Sequence, residues 1–130
     1  MKRYWGVDLH RLQFTVCVWE SEDKKSFRQW RIEQLPEFVA QLRAEDELAV
    51  EATSTTARFY EAVVEHVSRV VVVNPHQFKV ISESVKKTDA NDAEALAFFL
   101  SKDLLPEIRM KSRQQRELQH LAETRDLLVK

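Results

Sequence analysis

Glycine is nearly missing from this chain. One glycine, Gly6, stands among 130 residues, where average usage gives roughly nine. A Walker A loop or a dinucleotide-binding fingerprint needs several, so both are excluded. Any phosphate chemistry must therefore rest on side chains and metal ions. Cysteine is as scarce. Cys17 stands alone, which excludes an internal disulfide and any cysteine cluster for zinc or iron–sulfur. Long apolar runs are absent as well. The longest, Val70 to Val73, falls far short of the ~20 residues a membrane helix needs. The opening MKRYWGVDLH is basic but has no apolar core, so it does not read as a secretory signal. The expectation is a cytoplasmic protein with no membrane partner.

Charge of one sign is also lacking. Lys plus Arg is 20 and Asp plus Glu is 21, for a net charge of −1. That balance argues against a simple DNA-coating protein. It leaves room for an enzyme that touches nucleic acid locally, because acidic catalytic groups and basic contacts cancel in the sum. The 44% apolar and 32% charged shares are those of a soluble globular domain, and the length suits one domain with a real core.

Residues 4–10 alternate as a strand, with Tyr4, Gly6, Asp8 and His10 on one face and Trp5, Val7 and Leu9 on the other. Residues 13–19 and 26–32 alternate too, so the chain begins as an antiparallel meander. Pro36 then opens a helix carrying Phe38, Val39 and Leu42. A short apolar run, Leu48 to Glu51, ends in a carboxylate. Helical spacing returns over 55–67 through Phe59, Val63 and Val67. The valine run before Asn74-Pro75 suits a parallel strand buried on both faces. A short helix is expected over 76–85, another over 89–101, and a last amphipathic helix over 112–130. The order β-β-β-α-β-α-β-α-α describes an α/β mixed five-stranded sheet with flanking helices. Right-handed crossovers put its fourth strand beside the first.

In that sheet Asp8 and Glu51 lie on neighbouring strands. Asp89 and Asp92, in KKTDANDAEALA, share one face of a helix start. Four carboxylates cannot all stay ionised together without cations. Hard oxygen ligands select Mg²⁺ or Mn²⁺, and a pair of such ions clamps the attacking and leaving oxygens of a phosphodiester. Taken singly, each carboxylate has a plainer reading. Asp8 ends a strand, Glu51 is a loop acid, and Asp89 caps a helix with Asp92 at its third position. An EF-hand reading from Asp89 fails, because its glycine place holds Glu94 and its final glutamate place holds Leu100.

GVD at 6–8, VEAT at 50–53, VVNP at 72–75 and KTDANDAEALA at 87–97 occur in that order. Together they resemble the N-terminal domain of DEDD-type insertion-sequence transposases. These RuvC-like recombinases include bridge-RNA-guided elements and pilin-gene invertases. The resemblance implies an RNase H-like fold, with Asp8, Glu51, Asp89 and Asp92 as the Mg²⁺-binding tetrad. It also implies a linker helix leading to a second catalytic domain. The expected organisation is thus a catalytic domain over 1–105 and the start of a helical linker over 106–130. The second domain is absent, so the chain reads as a fragment. One departure is visible. The family commonly has glycine shortly after Glu-Ala-Thr, where this chain has Ser54-Thr55-Thr56, which leaves the geometry of that turn open.

The function expected is DNA phosphodiester exchange in mobile-element transposition. The partners are DNA, a guide RNA in the bridge-RNA branch, and further copies of the chain through the final helix. Nucleic-acid contacts are expected at Lys86, Lys87, Arg109, Lys111, Arg113 and Arg116, although solvated polar faces explain the same residues. His10 either reaches a metal or ends its strand in a hydrogen bond. Ser54 to Thr56 either hold a phosphate or cap the next helix. Leu118, Leu121 and Leu128 either form a seam to a partner or pack on the domain. Two rivals stand beside this reading: a Holliday-junction nuclease of the same fold, and a non-catalytic domain that binds nucleic acid or oligomerises.

Overall fold

The computed structural model describes residues 2–84 and 92–108. The meander forms as expected: β1 (Tyr4–Leu9), β2 (Gln13–Ser21) and β3 (Lys24–Arg31) pair antiparallel in sequence. The β1–β2 turn closes through the His10 amide donating to the Gln13 carbonyl at 2.9 Å. A 3-10 turn leads into α1 (Leu35–Val39), with Pro36 in its first turn. β4 (Glu47–Glu51) returns to pair parallel with β1, and α2 (Thr56–Val63) carries the chain over to β5 (Arg69–Val73), parallel to β4. α3 (Pro75–Ser84) and α4 (Asp92–Ser101) follow.

The five expected strands are joined by a short sixth. β6 (Glu107–Ile108) pairs antiparallel with β5, giving the order β3-β2-β1-β4-β5-β6. These two residues fall in the segment assigned from the sequence to the linker helix. A two-residue strand carries no alternation to read, and only the exposed edge of β5 makes it one. The final helix expected over 112–130, with its leucine seam, lies outside the described residues.

Alternation divides the sheet into two packed faces. Trp5, Val7, Leu9, Phe14, Val16, Trp30, Leu48, Val50 and Val72 meet Phe38 of α1 and Phe59 of α2. Phe38 is fully buried and makes edge contacts with Trp5 at 5.5 Å and Phe14 at 5.1 Å between ring centroids, a favoured aromatic geometry. On the other face Ala49, Val71 and Val73 pack on Leu96, Phe99 and Leu100 of α4. Cys17 and Trp19 pack on Ala93 and Ala97.

Gly6 sets how α4 lies. A Cβ there would collide with the Ala93 carbonyl oxygen and stand 2.6 Å from the Ala97 amide nitrogen. The helix backbone therefore rests directly on β1. From Ala93 at Gly6 the helix runs to Phe98, whose ring meets Trp19 at 5.4 Å. Just past its end, Asp103 pairs with Arg69 at the start of β5 at 3.1 Å. So α4 runs antiparallel to β1, and its N-terminus lies at the end of the sheet where β1 and β4 finish.

Candidate active site

Asp8 is the next-to-last residue of β1 and points to the α4 face, two residues beyond Gly6. Its side chain is 26% exposed. The β1–β4 register is Gly6 with Ala49 and Val7 with Val50. One further step along both strands brings Asp8 level with Glu51, on the same face. Glu51 is half-buried and ends β4. Asp92 opens α4 beside Ala93, the residue packed on Gly6. Three of the four carboxylates thus belong to elements that end or begin at one end of the sheet. In α/β sheets that end, outside the carboxyl termini of the parallel strands, is where ligands bind.

Asp89 lies outside the described residues, as do Lys86, Lys87, Arg109, Lys111, Arg113 and Arg116. Among the described residues no three His, Cys, Asp or Glu side chains are grouped closely enough to hold a metal ion. Asp8 does have a close neighbour: His10 Nε2 lies 3.2 Å from Asp8 Oδ2. That geometry matches the reading in which His10 ends its strand in a hydrogen bond.

The turn after Glu51 is built from hydroxyls. Thr56 is buried, and its Oγ1 donates to the Glu51 carbonyl at 2.8 Å and accepts from the Thr53 amide at 2.6 Å. Thr53 Oγ1 lies 3.1 Å from Thr56 Oγ1 and 3.2 Å from Thr55 Oγ1. The Ala52 amide donates to the Val73 carbonyl at 2.9 Å. These bonds fix the backbone on both sides of Glu51. Thr55, at the N-cap of α2, makes no side-chain cap bond. The expectation of hydroxyl capping is therefore corrected, because the threonines close their own turn instead.

Sequence reasoning missed the most buried carboxylate among the described residues. Asp46 is 1% exposed. It accepts from Arg3 Nε at 3.1 Å, Arg3 Nη2 at 2.8 Å, Trp5 Nε1 at 2.9 Å and the Arg43 amide at 2.9 Å. It sits at the opposite end of the sheet, where β1 and β4 begin, and it is saturated by donors, as a structural carboxylate must be. No local pattern marks it, since its side-chain partners Arg3 and Trp5 lie about forty residues away in the chain. Lys25 and Glu94 were missed for the same reason. They meet at 2.8 Å and tie β3 to α4, and the Glu94 hydrogen bond raises the Lys25 pKa above its usual 10.5.

On the α1 face an open cleft of about 260 Å³ is floored by Trp5, Val16, Val18 and Trp30. Its cations are engaged: Arg28 stacks on Trp30 at 3.7 Å, and Arg3 holds Asp46. Asp8, Glu51 and Asp92 belong to the other side of the sheet, the one α4 covers.

The mixed sheet with flanking helices is consistent with an RNase H-like fold, and Asp8 and Glu51 stand where its β1 and β4 finish. A family model of DEDD transposases of the IS110 type, described as a transposase, matches residues 5–130. The chain belongs to this family. A comparison with curated proteins finds no match. Membership gives the chain a transposase role, in the class of enzymes that recombine nucleic acid, and it implies DNA as a partner. Among the described residues no helix is long and apolar enough to cross a membrane.

Proposed function

We propose that residues 1–105 are the RuvC-like catalytic domain of a DEDD transposase. In this reading Asp8, Glu51, Asp89 and Asp92 hold Mg²⁺ or Mn²⁺ for phosphodiester exchange in DNA. The observation that carries it is the convergence of three chain elements on one sheet end. β1 brings Asp8 there, β4 brings Glu51, and α4 starts there with Asp92. The donor set fits the ion, since it consists of hard carboxylate oxygens, and Asp8, Glu51 and Asp92 are half-buried. Bound divalent ions would polarise the phosphodiester and stabilise charge on the attacking and leaving oxygens. The chain's own residues do the positioning. Gly6 admits α4 to contact distance, and the Thr53–Thr56 hydroxyls hold the backbone of Glu51. The linker from 106 onward, contacts at Lys86, Lys87, Arg109, Lys111, Arg113 and Arg116, a guide RNA and assembly through the final helix belong to the same reading.

The test is a Mn²⁺ titration followed by thermal unfolding. Ion at a hundredfold excess over its Kd stabilises a folded chain by about 2.7 kcal/mol. The expected result is a Mn²⁺-dependent rise in Tm that Asp8→Asn, Glu51→Gln, Asp89→Asn and Asp92→Asn each reduce sharply. An undiminished rise in the quadruple variant rejects the site. Cleavage of a four-way junction by this chain alone would favour the Holliday-junction nuclease instead.

A further inference from the structure

The face that carries Asp8 continues beyond it across β2 and β3. Asp8 pairs with Thr15, and Thr15 pairs with Gln29. One row outward, Gln13 pairs with Arg31; one row inward, Cys17 pairs with Phe27. Strand parity puts all of these side chains on the α4 side of the sheet. α4 packs on Gly6, Cys17 and Trp19. Among the described residues its first is Asp92, so the two outer rows extend past the helix on the strand-end side. Gln13, Gln29 and Arg31 are exposed, Thr15 is half-buried, and the Phe27 ring is 46% exposed.

The chemistry of this strip is one-sided. Next to the Asp8 carboxylate it offers hydroxyl and amide donors, one guanidinium and one aromatic face, and it contains no further acid. β3 itself, KKSFRQWR, holds four cations and no acid. Arg31 has a carboxylate near it, Glu33 at 3.6 Å. Both side chains are largely exposed, at 74% and 65%, and such a pair is weak and easily exchanged. One ring among polar groups is a poor floor for a protein partner. It suits a nucleic-acid strand, whose bases stack on aromatic rings while its phosphates take cationic and amide donors. With strands ~4.8 Å apart, the edge of the strip lies on the order of 10 Å from Asp8, within the span of a short length of strand.

We propose that the strip Thr15, Gln13, Gln29 and Arg31, bordered by Phe27, is a track on which one DNA strand lies as it leads to the candidate active site. This rests on the reading of Asp8 and Glu51 as the catalytic end, and it names residues other than the lysines and arginines expected from the sequence. Phe27 stacks a base and Arg31 takes a phosphate. The plainer role of a basic edge strand is to discourage pairing with another sheet. That role predicts aggregation in charge-removing variants and no change in DNA affinity.

The experiment uses the full chain in EDTA, with a fluorescein-labelled single-stranded DNA oligonucleotide and anisotropy as readout. Both side chains are exposed enough for the variants to fold, which circular dichroism checks. Phe27→Ala is expected to weaken binding roughly tenfold, the range of one base–aromatic stack, with Phe27→Tyr retaining affinity. Arg31→Ala is expected to weaken binding and to flatten the slope of log K against log salt by about 0.7, one phosphate contact on a single strand. Arg43→Ala, remote from the strip, is the control and should bind like the parent. Unchanged affinity in both Phe27→Ala and Arg31→Ala overturns the proposal. So does a parent chain with no measurable affinity for the oligonucleotide, or one that prefers single-stranded RNA of the same sequence. The Mn²⁺ response of Tm, measured on the same variants, separates the two ideas. If it persists while DNA binding is lost, track and metal site are distinct and both stand. If it is absent from the parent while the strip still binds DNA, the metal site fails alone.

Discussion

At the scale of single residues, Cys17 shows how position overrides chemistry. It is fully buried between β2 and α4. Burial, reinforced by the charge of Glu94, pushes its thiol from the usual 9.0 up to about 12. The thiolate is the reactive species, so native Cys17 should resist iodoacetamide at pH 8 and be alkylated only as the chain unfolds. Mass spectrometry along a urea series would show labelling that tracks the unfolding curve. Labelling at full speed without urea would contradict the burial. The sign of the pH effect follows from linkage. Between about pH 9 and 12 the unfolded thiol loses its proton while the folded one keeps it, so this contribution to stability is complete below pH 9 and fades as pH rises. The Lys25 shift acts in the same direction, since its raised pKa means the folded state holds that proton longer.

At the scale of elements, the contact between β1 and α4 decides the geometry of the carboxylate end. Gly6→Ala places a methyl against helix backbone at Ala93 and Ala97, where no flexible side chain can yield. Overpacking of this kind costs about 1–3 kcal/mol, occasionally more, and backbone neighbours put this case at the upper end. A urea midpoint lowered by that amount is expected, and a midpoint equal to the parent's would show that α4 does not rest on the strand. The neighbouring β4–α2 turn has the opposite design. Ser54-Thr55-Thr56 stand there without a glycine, and the buried Thr56 holds the turn by hydrogen bonding.

At the scale of the whole molecule, the charges divide between the two ends of the sheet. Where β1 and β4 begin, they are paired: Arg3 with Asp46, Lys2 and Arg69 with Glu47, and Arg69 with Asp103. Where those strands finish, Asp8 stands beside His10 and Glu51 ends β4. Removing a carboxylate should therefore have opposite consequences at the two ends. Asp46→Ala leaves the Arg3 guanidinium and the Trp5 indole N–H without their acceptor, and a cost of about 3 kcal/mol is expected. The Mn²⁺ concentration that half-saturates the Tm shift should stay as in the parent. Chemical denaturation and the Mn²⁺ titration, run side by side, check both halves. A variant that lost the Mn²⁺ response while keeping its stability would reverse the assignment of the two ends.

Much of this was readable from the chain alone, for a local reason. Side-chain parity along a strand and spacing along a helix are properties of neighbouring residues. Alternation around Gly6 and Asp8, the run Val70 to Val73 and the stop at Asn74-Pro75 therefore located the meander, the buried parallel strand and the face that carries Asp8. The rarity of glycine made phosphate loops impossible whatever the fold. Tertiary structure decided everything that depends on which distant segments meet. It paired Asp46 with Arg3 and Trp5, and turned two residues after Pro106 into a strand by offering them the edge of β5. It laid α4 antiparallel to β1 so that the helix starts at the carboxylate end. It also set Thr15 and Gln29 in line with Asp8, with Arg31 one row outward. Register between strands far apart in sequence comes from global packing, and no local pattern encodes it.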